Sequence, residues 1–451
     1  MDLTKDPIPG LVRKIAVPAS IGFFFNTMYN VVDTFFAGFI STDALAALSI
    51  SFPVFFIIIA MGSGISQGGT ALIANALGEK DQAKAHHTCV QCLSFGVLFA
   101  IVLTVGGLLS APYLFQILGA SGEYLEVALD YINLILCGTV LTVVQSIANA
   151  CLNAQGDTKT YRNVLIVSFF LNCALDPWFM YGGLGVPAMG IKGIALATIV
   201  IQLLGMVYLL HRLSRTKLWE GPIFSMLAPS PIYREIAKQG FPASFNMVSV
   251  AVGIFIITLF ISKFSTESVA AYGIATRIEQ ILLLPTIGLN IAVLSMTGQN
   301  NGAKKPERIR ETLETTMKYG LVMMAAGGLL LYFLAETMMQ VFSEYPIVIR
   351  HGIDYLEIAS ITLCSYVILF QTVNLLQGLK KPLYAMIIGI YRQVLAPCIV
   401  FYLLAFKLDM RESGVWWGIF LVTWSAAIIS YFYGKNMLRR QLSSPTEFTE
   451  S

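Results

Sequence analysis

The sequence predicts an all-α integral membrane protein with 12 transmembrane helices in two pseudo-symmetric six-helix lobes. The composition is the first reason: of 451 residues, 56% are hydrophobic and only 12% are charged, roughly half the charged share of a soluble domain. The second is a series of twelve apolar segments long enough to cross a bilayer as helices. The third is an internal repeat, in which motifs of the first half return in the second half at one constant offset.

The apolar segments follow one another with short polar connections between them. A run of about 20 apolar residues spans the hydrocarbon core as a helix, because only a helix satisfies its own backbone polar groups there. The approximate limits of the predicted spans are Leu11–Ile40, Ala44–Leu77, Cys89–Ile117, Val127–Gln155, Val164–Gly183, Gly190–Leu210, Phe241–Phe264, Val269–Gly298, Tyr319–Val341, Ile353–Gln377, Leu383–Phe406 and Gly414–Tyr433.

Lysine and arginine are concentrated in alternate connections, which indicates the orientation of the chain. The connections on the side of both termini hold most of the basic residues. The other side holds only Lys192, Lys263, Arg350, Lys407 and Arg411. Because basic loops stay in the cytoplasm, we expect a multi-pass protein of the cell inner membrane with both termini cytoplasmic. The net charge of +3 then reflects topology and does not indicate a nucleic-acid partner.

The early motifs of the internal repeat share one offset of 224 residues. Pro18-Ala19-Ser20 returns as Pro242-Ala243-Ser244, and Gly78-Glu79-Lys80 returns as Gly302-Ala303-Lys304, with no gap between the two pairs. Both halves begin on the same side of the membrane, so they form parallel repeats about an axis along the membrane normal.

The repeat predicts a division of the chain into two lobes with a connector and a tail. Two histidines, His86 and His87, fall in the basic connection after the second span, where we expect them to be solvated. The predicted parts are an amino-terminal six-helix lobe (1–211), a cytoplasmic linker (212–239), a carboxy-terminal six-helix lobe (240–437) and a cytoplasmic tail (438–451).

Asp33 is a carboxylate in the middle of the first apolar span. A charged group at this depth costs roughly 2.5–3.5 kcal/mol on insertion scales, so such groups are rare and usually functional. Asn26, Tyr29, Asn30 and Asp33 follow the i, i+3, i+4, i+7 spacing of one helix face. This polar face indicates a cavity or the interior of the bundle.

A second carboxylate, Asp176, follows Asn172 by one helical turn in the fifth span and precedes Pro177. Two carboxylates, an amide oxygen and a hydroxyl can bind a hard cation, or the pair can share one proton. The alternative is a carboxylate that is merely satisfied by nearby hydroxyls. In the fourth span, Gln145 and Asn149 are one turn apart, and they either line the same cavity or hold helices together.

The second half does not copy these carboxylates, since Asp33 corresponds to Ile257. It carries Arg277 and Glu279 in the eighth span and Arg392 in the eleventh, which either form a structural pair or act as a gate. The chain shows no nucleophile motif or metal-hydrolase spacing, so we expect no enzyme. A GxxxxGK[ST] phosphate loop is also absent, so ATP is not the expected energy source.

Taken together, several motifs resemble the multidrug and toxic compound extrusion (MATE) family over nearly the whole chain. They are Pro18-Ala19-Ser20, Asn30-x-x-Asp33-Thr34, Gly156-Asp157-Thr158-Lys159, Asn172-x-x-x-Asp176-Pro177 and Gln299-Asn300-x-Gly302-Ala303. The carboxylates of the first and fifth spans resemble the DNA-damage-inducible (DinF-like) branch. The other branch has an acidic residue in the seventh span, which Phe241–Phe264 lacks.

The resemblance implies a monomeric antiporter that exports organic, often cationic drugs or toxins in exchange for H+ or Na+ by alternating access. It implies no cofactor beyond the coupling ion. It also leaves open a lipid-linked saccharide flippase of the same superfamily and a non-transporting membrane scaffold. The residues that match the cation or proton site of that branch are Asp33, Asn172, Asp176 and Thr198, and those that match its polar cavity are Tyr29, Asn30, Tyr131 and Asn149.

Overall fold

The structure, a computed structural model, describes residues 1–40, 42–220 and 231–443, without the side chains of residues 42–45 and 443. Within these residues, 11 helices are long and apolar enough to cross a membrane. A twelfth span consists of two helices that bend by 43° at the break between them. The predicted all-α membrane fold is therefore confirmed, and the chain is a multi-pass membrane protein.

The helices of the first half run in chain order from α1 to α7. They are α1 (Ile8–Ile40), α2 (Thr42–Gly78), α3 (Gln82–Ile117), α4 (Gly122–Cys137), α5 (Thr139–Ala154), α6 (Lys159–Tyr181) and α7 (Ile191–Ser214). Those of the second half are α8 (Pro231–Ile261), α9 (Thr266–Gly302), α10 (Pro306–Phe342), α11 (Pro346–Gly378), α12 (Leu383–Ile390), α13 (Ala396–Phe401) and α14 (Arg411–Ser443).

The repeat in the sequence extends to the backbone. Helices α2 and α9 are each 37 residues long, and their first residues, Thr42 and Thr266, stand at equivalent positions of the repeat. Each helix ends in a turn with a lysine in the left-handed region, Lys80 at φ 60° and Lys304 at φ 54°. Residues other than glycine seldom adopt this backbone conformation. The same turn at the same repeat position therefore indicates one duplicated scaffold.

The halves differ in their fourth span. Helices α4 and α5 are separated at Gly138, whereas the corresponding residue, Thr362, lies inside the unbroken α11. Glycine weakens a helix. A Cβ at position 138 would also approach Ile199 of α7 to 3.0 Å. The glycine therefore permits both the bend and the close contact with α7.

The eleventh span also departs from the single helix that the sequence predicts. Between α12 and α13 lies a π-helical segment, Tyr391–Leu395, and a second one, Tyr402–Lys407, follows α13. Such segments place side chains out of regular helical register and are frequent at functional sites. Arg392 lies in the first of them.

The described residues divide into two compact units. Residues 21–220 and 231–244 form one unit, and residues 1–20 and 245–443 form the other, so the boundaries cross α1 and α8. Each unit has its own apolar core, around Ile73 and Ile147 in the first and around Leu356 and Trp416 in the second. The lobe boundaries at residues 211 and 240 remain a prediction.

Part of the predicted linker packs against α3. Leu218 is fully buried, and its carbonyl oxygen lies 2.9 Å from Nδ1 of His86. The side-chain amide of Gln82 donates a 2.7 Å hydrogen bond to the carbonyl of Lys217. The prediction that His86 is solvated is wrong, because this segment covers it. Residues 221–230 of the linker and 444–451 of the tail lie outside the described residues.

Candidate functional site

Helices α1 and α6 bring the two predicted carboxylates together. The amide nitrogen of Asn172 donates a 2.8 Å hydrogen bond to Oδ1 of Asp33. The side chain of Asp176 lies within hydrogen-bonding reach of Asp33. Asp33 is 8% exposed, and Asn172 and Asp176 are fully buried. Three polar side chains from two membrane helices thus form one buried cluster, and its role as a cation or proton site stays a prediction.

Close contact between α6 and α7 brings Thr198 to this cluster. A Cβ on Gly193 of α7 would come within 2.6 Å of the backbone of Phe179 in α6, so only glycine permits this approach. One and a half turns later on α7, Thr198 is 4% exposed and accepts a 3.1 Å hydrogen bond from Oη of Tyr29. Tyr29 lies one turn before Asp33 on α1, and it therefore links the threonine to the carboxylates.

Several oxygen atoms of the cluster have no hydrogen-bond donor. Oδ1 of Asn172 and both carboxylate oxygens of Asp176 are buried and accept no hydrogen bond from any described residue. A buried ionised group without a partner is strongly unfavourable. A shared proton or a small hard cation would satisfy these atoms, since carboxylate, amide and hydroxyl oxygens are the ligands that such cations take. The residues present therefore fit H+ or Na+.

The predicted cavity residues separate into two groups. Tyr131 is 9% exposed and lies close to Asp33 and Asp176. Asn30 is exposed, and its amide donates to the carbonyl of Asn26 one turn earlier on α1. The structure thus places Tyr131 at the cluster and directs the Asn30 side chain along its own helix.

On α5, the side chains of Gln145 and Asn149 each have a buried amide oxygen that accepts no hydrogen bond from a described residue. Gln145 packs against Gly205 of α7, where a Cβ would come within 3.2 Å of the amide. It therefore contributes to helix packing as well as offering a polar atom. Its place in a drug cavity, like that of Asn149, stays a prediction.

In the second unit, Glu279 and Arg392 line a cavity of about 270 Å³, which we call the second-half cavity. Arg277 does not line it and is exposed. Residues two positions apart on a helix point about 200° away from each other, so Arg277 and Glu279 face different sides of α9. The three charged residues that the sequence groups together are therefore not one cluster.

Two tyrosines of α11 complete this cavity, and neither was predicted from the sequence. Tyr355 donates a 2.6 Å hydrogen bond from Oη to Oε2 of Glu279. Tyr366 lies within reach of both Glu279 and Arg392, and the Arg392 guanidinium stands 5.6 Å from its ring centre. From Tyr355 to Tyr366 the chain makes close to three helical turns, so the two side chains share one face of α11. The spacing of these two tyrosines on one apolar helix is the sequence feature from which their shared role could have been predicted.

A helical membrane protein built from two repeated halves, with a buried carboxylate pair in one of them, has the architecture of a secondary transporter. The MatE family model matches residues 18–178 and again residues 242–403, once in each half of the repeat. The chain belongs to the MatE family. Its members are transporters, so this protein is a transporter and not an enzyme. A non-transporting scaffold is thereby excluded.

Individual relatives agree in fold and vary in their named cargo. An FAD transporter of Shewanella oneidensis is 28% identical over 403 residues, covering 87% of each chain. A probable multidrug resistance protein NorM of Thermotoga maritima is 24% identical, covering 77% of this chain and 76% of the relative. The solved structure of a MOP superfamily transporter from Pyrococcus furiosus superposes with a TM-score of 0.91 at 24% identity, covering 98% of both chains. This likeness supports the fold.

Proposed function

We propose that the protein is a cation-coupled multidrug efflux antiporter, of the DinF-like branch, that exports organic, often cationic compounds in exchange for H+ or Na+. The observation that supports this proposal is the buried cluster of Asp33, Asn172 and Asp176. Several of its oxygen atoms accept no hydrogen bond from a described residue, and a proton or a cation would satisfy them. Relatives named as multidrug resistance or export proteins support the substrate class. The protein acts as a monomer in the cell inner membrane, with both termini in the cytoplasm.

The coupling ion acts on the cluster by changing its charge. With both carboxylates ionised, the buried cluster carries negative charge, which favours a hydrated polar cavity and the binding of a cationic drug. When a proton or Na+ neutralises the charge, the same surface of α1 packs more favourably against its neighbours. The drug is then released to the outside.

Helix α1 has the features that such a change needs. Pro18 lies inside the helix and removes one backbone hydrogen bond, which makes this the place where α1 can bend. At Gly22, a Cβ would come within 3.2 Å of Arg162 and Leu165 in α6, so the two helices are in close contact there. A bend between these positions would move Asp33 relative to Asp176.

Transport by the purified protein in lipid vesicles tests the proposal. A fluorescent organic cation is loaded, and its movement is followed under an imposed pH gradient and then under an imposed Na+ gradient. We expect one gradient to drive transport and the other to have little effect, which identifies the coupling ion. Transport that neither gradient drives would contradict the proposal.

A flavin nucleotide is a second candidate cargo, because the Shewanella oneidensis relative is named an FAD transporter. The same vesicles test it when FAD replaces the organic cation. The lipid-linked saccharide flippase has less support, since it calls for basic groups in the central cavity. Of the two candidates, Arg277 is exposed and Arg392 lines a cavity within the second unit.

A further inference from the structure

We propose that the second-half cavity binds small aromatic organic acids, with Arg392 holding their carboxylate group. This inference rests on the proposed transport function and adds a class of cargo to it. The cavity has a volume of about 270 Å³, near the lower end of the range for small-molecule sites. It therefore suits a ligand of one or two fused rings. Its walls include Glu279, Tyr355, Tyr366, Phe370, Arg392 and Thr423.

Arg392 is a cation in a membrane span, where Glu279 interacts with it electrostatically but forms no ion pair with it. Among the ion pairs made by the described residues, none includes Arg392. Its guanidinium lies 5.6 Å from the ring centre of Tyr366 and 5.7 Å from that of Phe370. A guanidinium close to aromatic rings gains a cation–π attraction that does not use up its N–H donors, and these can take a bidentate acceptor. A carboxylate matches that fork.

Glu279 does not supply the carboxylate that pairs with Arg392, because tyrosine hydroxyl groups hydrogen-bond to it. Its Oε2 accepts the 2.6 Å hydrogen bond from Tyr355, and Tyr366 is also within reach. The carboxylate is 6% exposed. The hydroxyl groups therefore satisfy Glu279, the only acid among the described residues that line the cavity. Tyr366 takes one of the donors of Arg392, and the other N–H groups at its edge remain for a ligand.

The aromatic wall of the cavity is rigid and flat. The rings of Tyr366 and Phe370 are stacked at 5.6 Å with an angle of 20° between them. Tyr272 stacks on the fully buried Trp416 at 5.8 Å, and Tyr355 meets the same tryptophan edge-on at 5.1 Å. Rings fixed in this way offer planar apolar surface without losing rotamer freedom on binding. They favour an aromatic ligand over an aliphatic one.

The cavity occupies the repeat position of the cation site. Ile257, Tyr355 and Val422 line it, and an offset of 224 residues pairs them with Asp33, Tyr131 and Thr198. The cavity therefore lies where the first half holds its buried carboxylate cluster. In the second half, aliphatic side chains replace the carboxylate and the hydroxyl, and an arginine enters from the π-helical segment of the eleventh span. We therefore expect the two places to have opposite charge preferences.

Binding of naphthoate and of its uncharged amide, naphthamide, to the purified protein in an uncharged detergent tests the inference by calorimetry. The two probes share size and ring. We expect naphthoate to bind at least about tenfold more tightly than naphthamide, because a hydrogen bond to a charged group contributes about this much to affinity. Equal affinities in the unaltered protein would overturn the inference without any variant being needed.

The variants locate the site. We expect Arg392→Gln to lose the preference for naphthoate and to keep weak binding of both probes, while Arg392→Lys keeps part of it. Arg277→Gln removes an exposed arginine of α9 that does not line the cavity, and it should change nothing. Elution volume and thermal unfolding verify that each variant is folded. A preference that persists in folded Arg392→Gln places the acid elsewhere and contradicts the inference.

Efflux of the organic cation separates this inference from the proposed function. We expect Arg392→Gln vesicles to retain cation efflux while naphthoate binding is lost. If the unaltered protein binds naphthoate through Arg392 but moves no organic cation, the proposed function fails and the anion site stands. Cation efflux without a naphthoate preference overturns the anion site and supports the proposed function.

Discussion

Asp33 and Asp176 are neighbours with different hydrogen-bond partners. Asp33 accepts a 2.8 Å hydrogen bond from Asn172, whereas neither oxygen of Asp176 has a donor among the described residues. Two buried carboxylates in contact both stay ionised only where water or a cation offsets their charge, and otherwise one of them takes up a proton. The two carboxylates therefore form one unit. The property of this pair that varies is its charge, and not its shape.

Replacing Asp33 by Asn should abolish coupled efflux. The amide keeps the shape of the side chain, while the carboxylate that we propose exchanges H+ or Na+ is lost. Vesicle efflux of the organic cation measures the effect at equal protein content. Asp130→Asn is the matched control, because Asp130 is exposed and pairs with Lys192 at 3.0 Å. Efflux by Asp33→Asn at the level of this control would show that Asp33 is not the coupling group.

Asp176→Asn should impair efflux as well, and the double variant with Asp33→Asn should lose little more than either single one. Residues that act as one unit are not additive. A double-mutant cycle on initial efflux rates measures the coupling between them. Losses that simply add would indicate two independent sites.

At the scale of elements, the site depends on how closely α6 and α7 approach. Gly193 lies against the backbone of Phe179, where a Cβ would come within 2.6 Å. Backbone atoms cannot yield as a flexible side chain can. The position of Thr198 relative to the carboxylates is therefore set by a helix contact just over one turn earlier on α7.

Gly193→Ala should separate the two helices, lower the unfolding temperature and reduce efflux. Overpacking at such contacts costs about 1–3 kcal/mol. Gly106→Ala in α3 is the control, since a Cβ there meets nothing within 4 Å. It should be neutral or slightly stabilising, because alanine favours a helix. Thermal unfolding in detergent measures both, and equal unfolding temperatures would contradict a close contact at Gly193.

Helix α1 is the element that we expect to change shape with the coupling ion. Spin labels at the exposed positions Phe35 on α1 and Phe170 on α6 report their separation within one unit. If H+ couples, the distance should differ between about pH 6 and about pH 8, the range in which a buried carboxylate pair can titrate. If Na+ couples, it should change on adding Na+ at constant pH. An unchanged distance in both experiments excludes α1 as the moving element.

At the scale of the whole molecule, one scaffold carries a buried carboxylate cluster in its first half and a cavity at the equivalent place in its second half. The turns after α2 and α9 keep the same left-handed lysine, and α3 and α10 begin at equivalent positions of the repeat, Gln82 and Pro306. Asp33 nevertheless corresponds to Ile257 and Thr198 to Val422. Duplication therefore preserved the backbone, while the charged groups of each half diverged.

Ile257→Leu should leave cation efflux nearly unchanged, because the coupling carboxylates lie in the first half alone. Isomeric aliphatic side chains exchange with a cost below about 1.5 kcal/mol. Efflux rates and membrane abundance measured alongside Asp33→Asn check this. A severe loss at normal abundance would show that the second half takes part in coupling.

The sequence by itself determined the membrane class, the repeat and the carboxylate cluster. These depend on local properties: the length of apolar runs, a constant offset between repeated motifs, and the one-turn spacing of Asn172 and Asp176. The cost of a charge in a bilayer made Asp33 a candidate functional residue before any contact was known. The branch of the family, the coupling ion and the orientation of the termini stay predictions.

Only the tertiary structure decided the second-half cavity. The sequence groups Arg277 with Glu279, but the turn of the helix directs them to different sides, and Arg277 is exposed. The partner of Glu279 is Tyr355, 76 residues away in the chain. Contacts of this kind depend on which faces of distant helices pack together, and apolar spans carry little pattern that reveals their inward face. The direction of the Arg392 side chain could not be predicted from the sequence either. It depends on a π-helical segment for which the sequence shows no recognisable pattern.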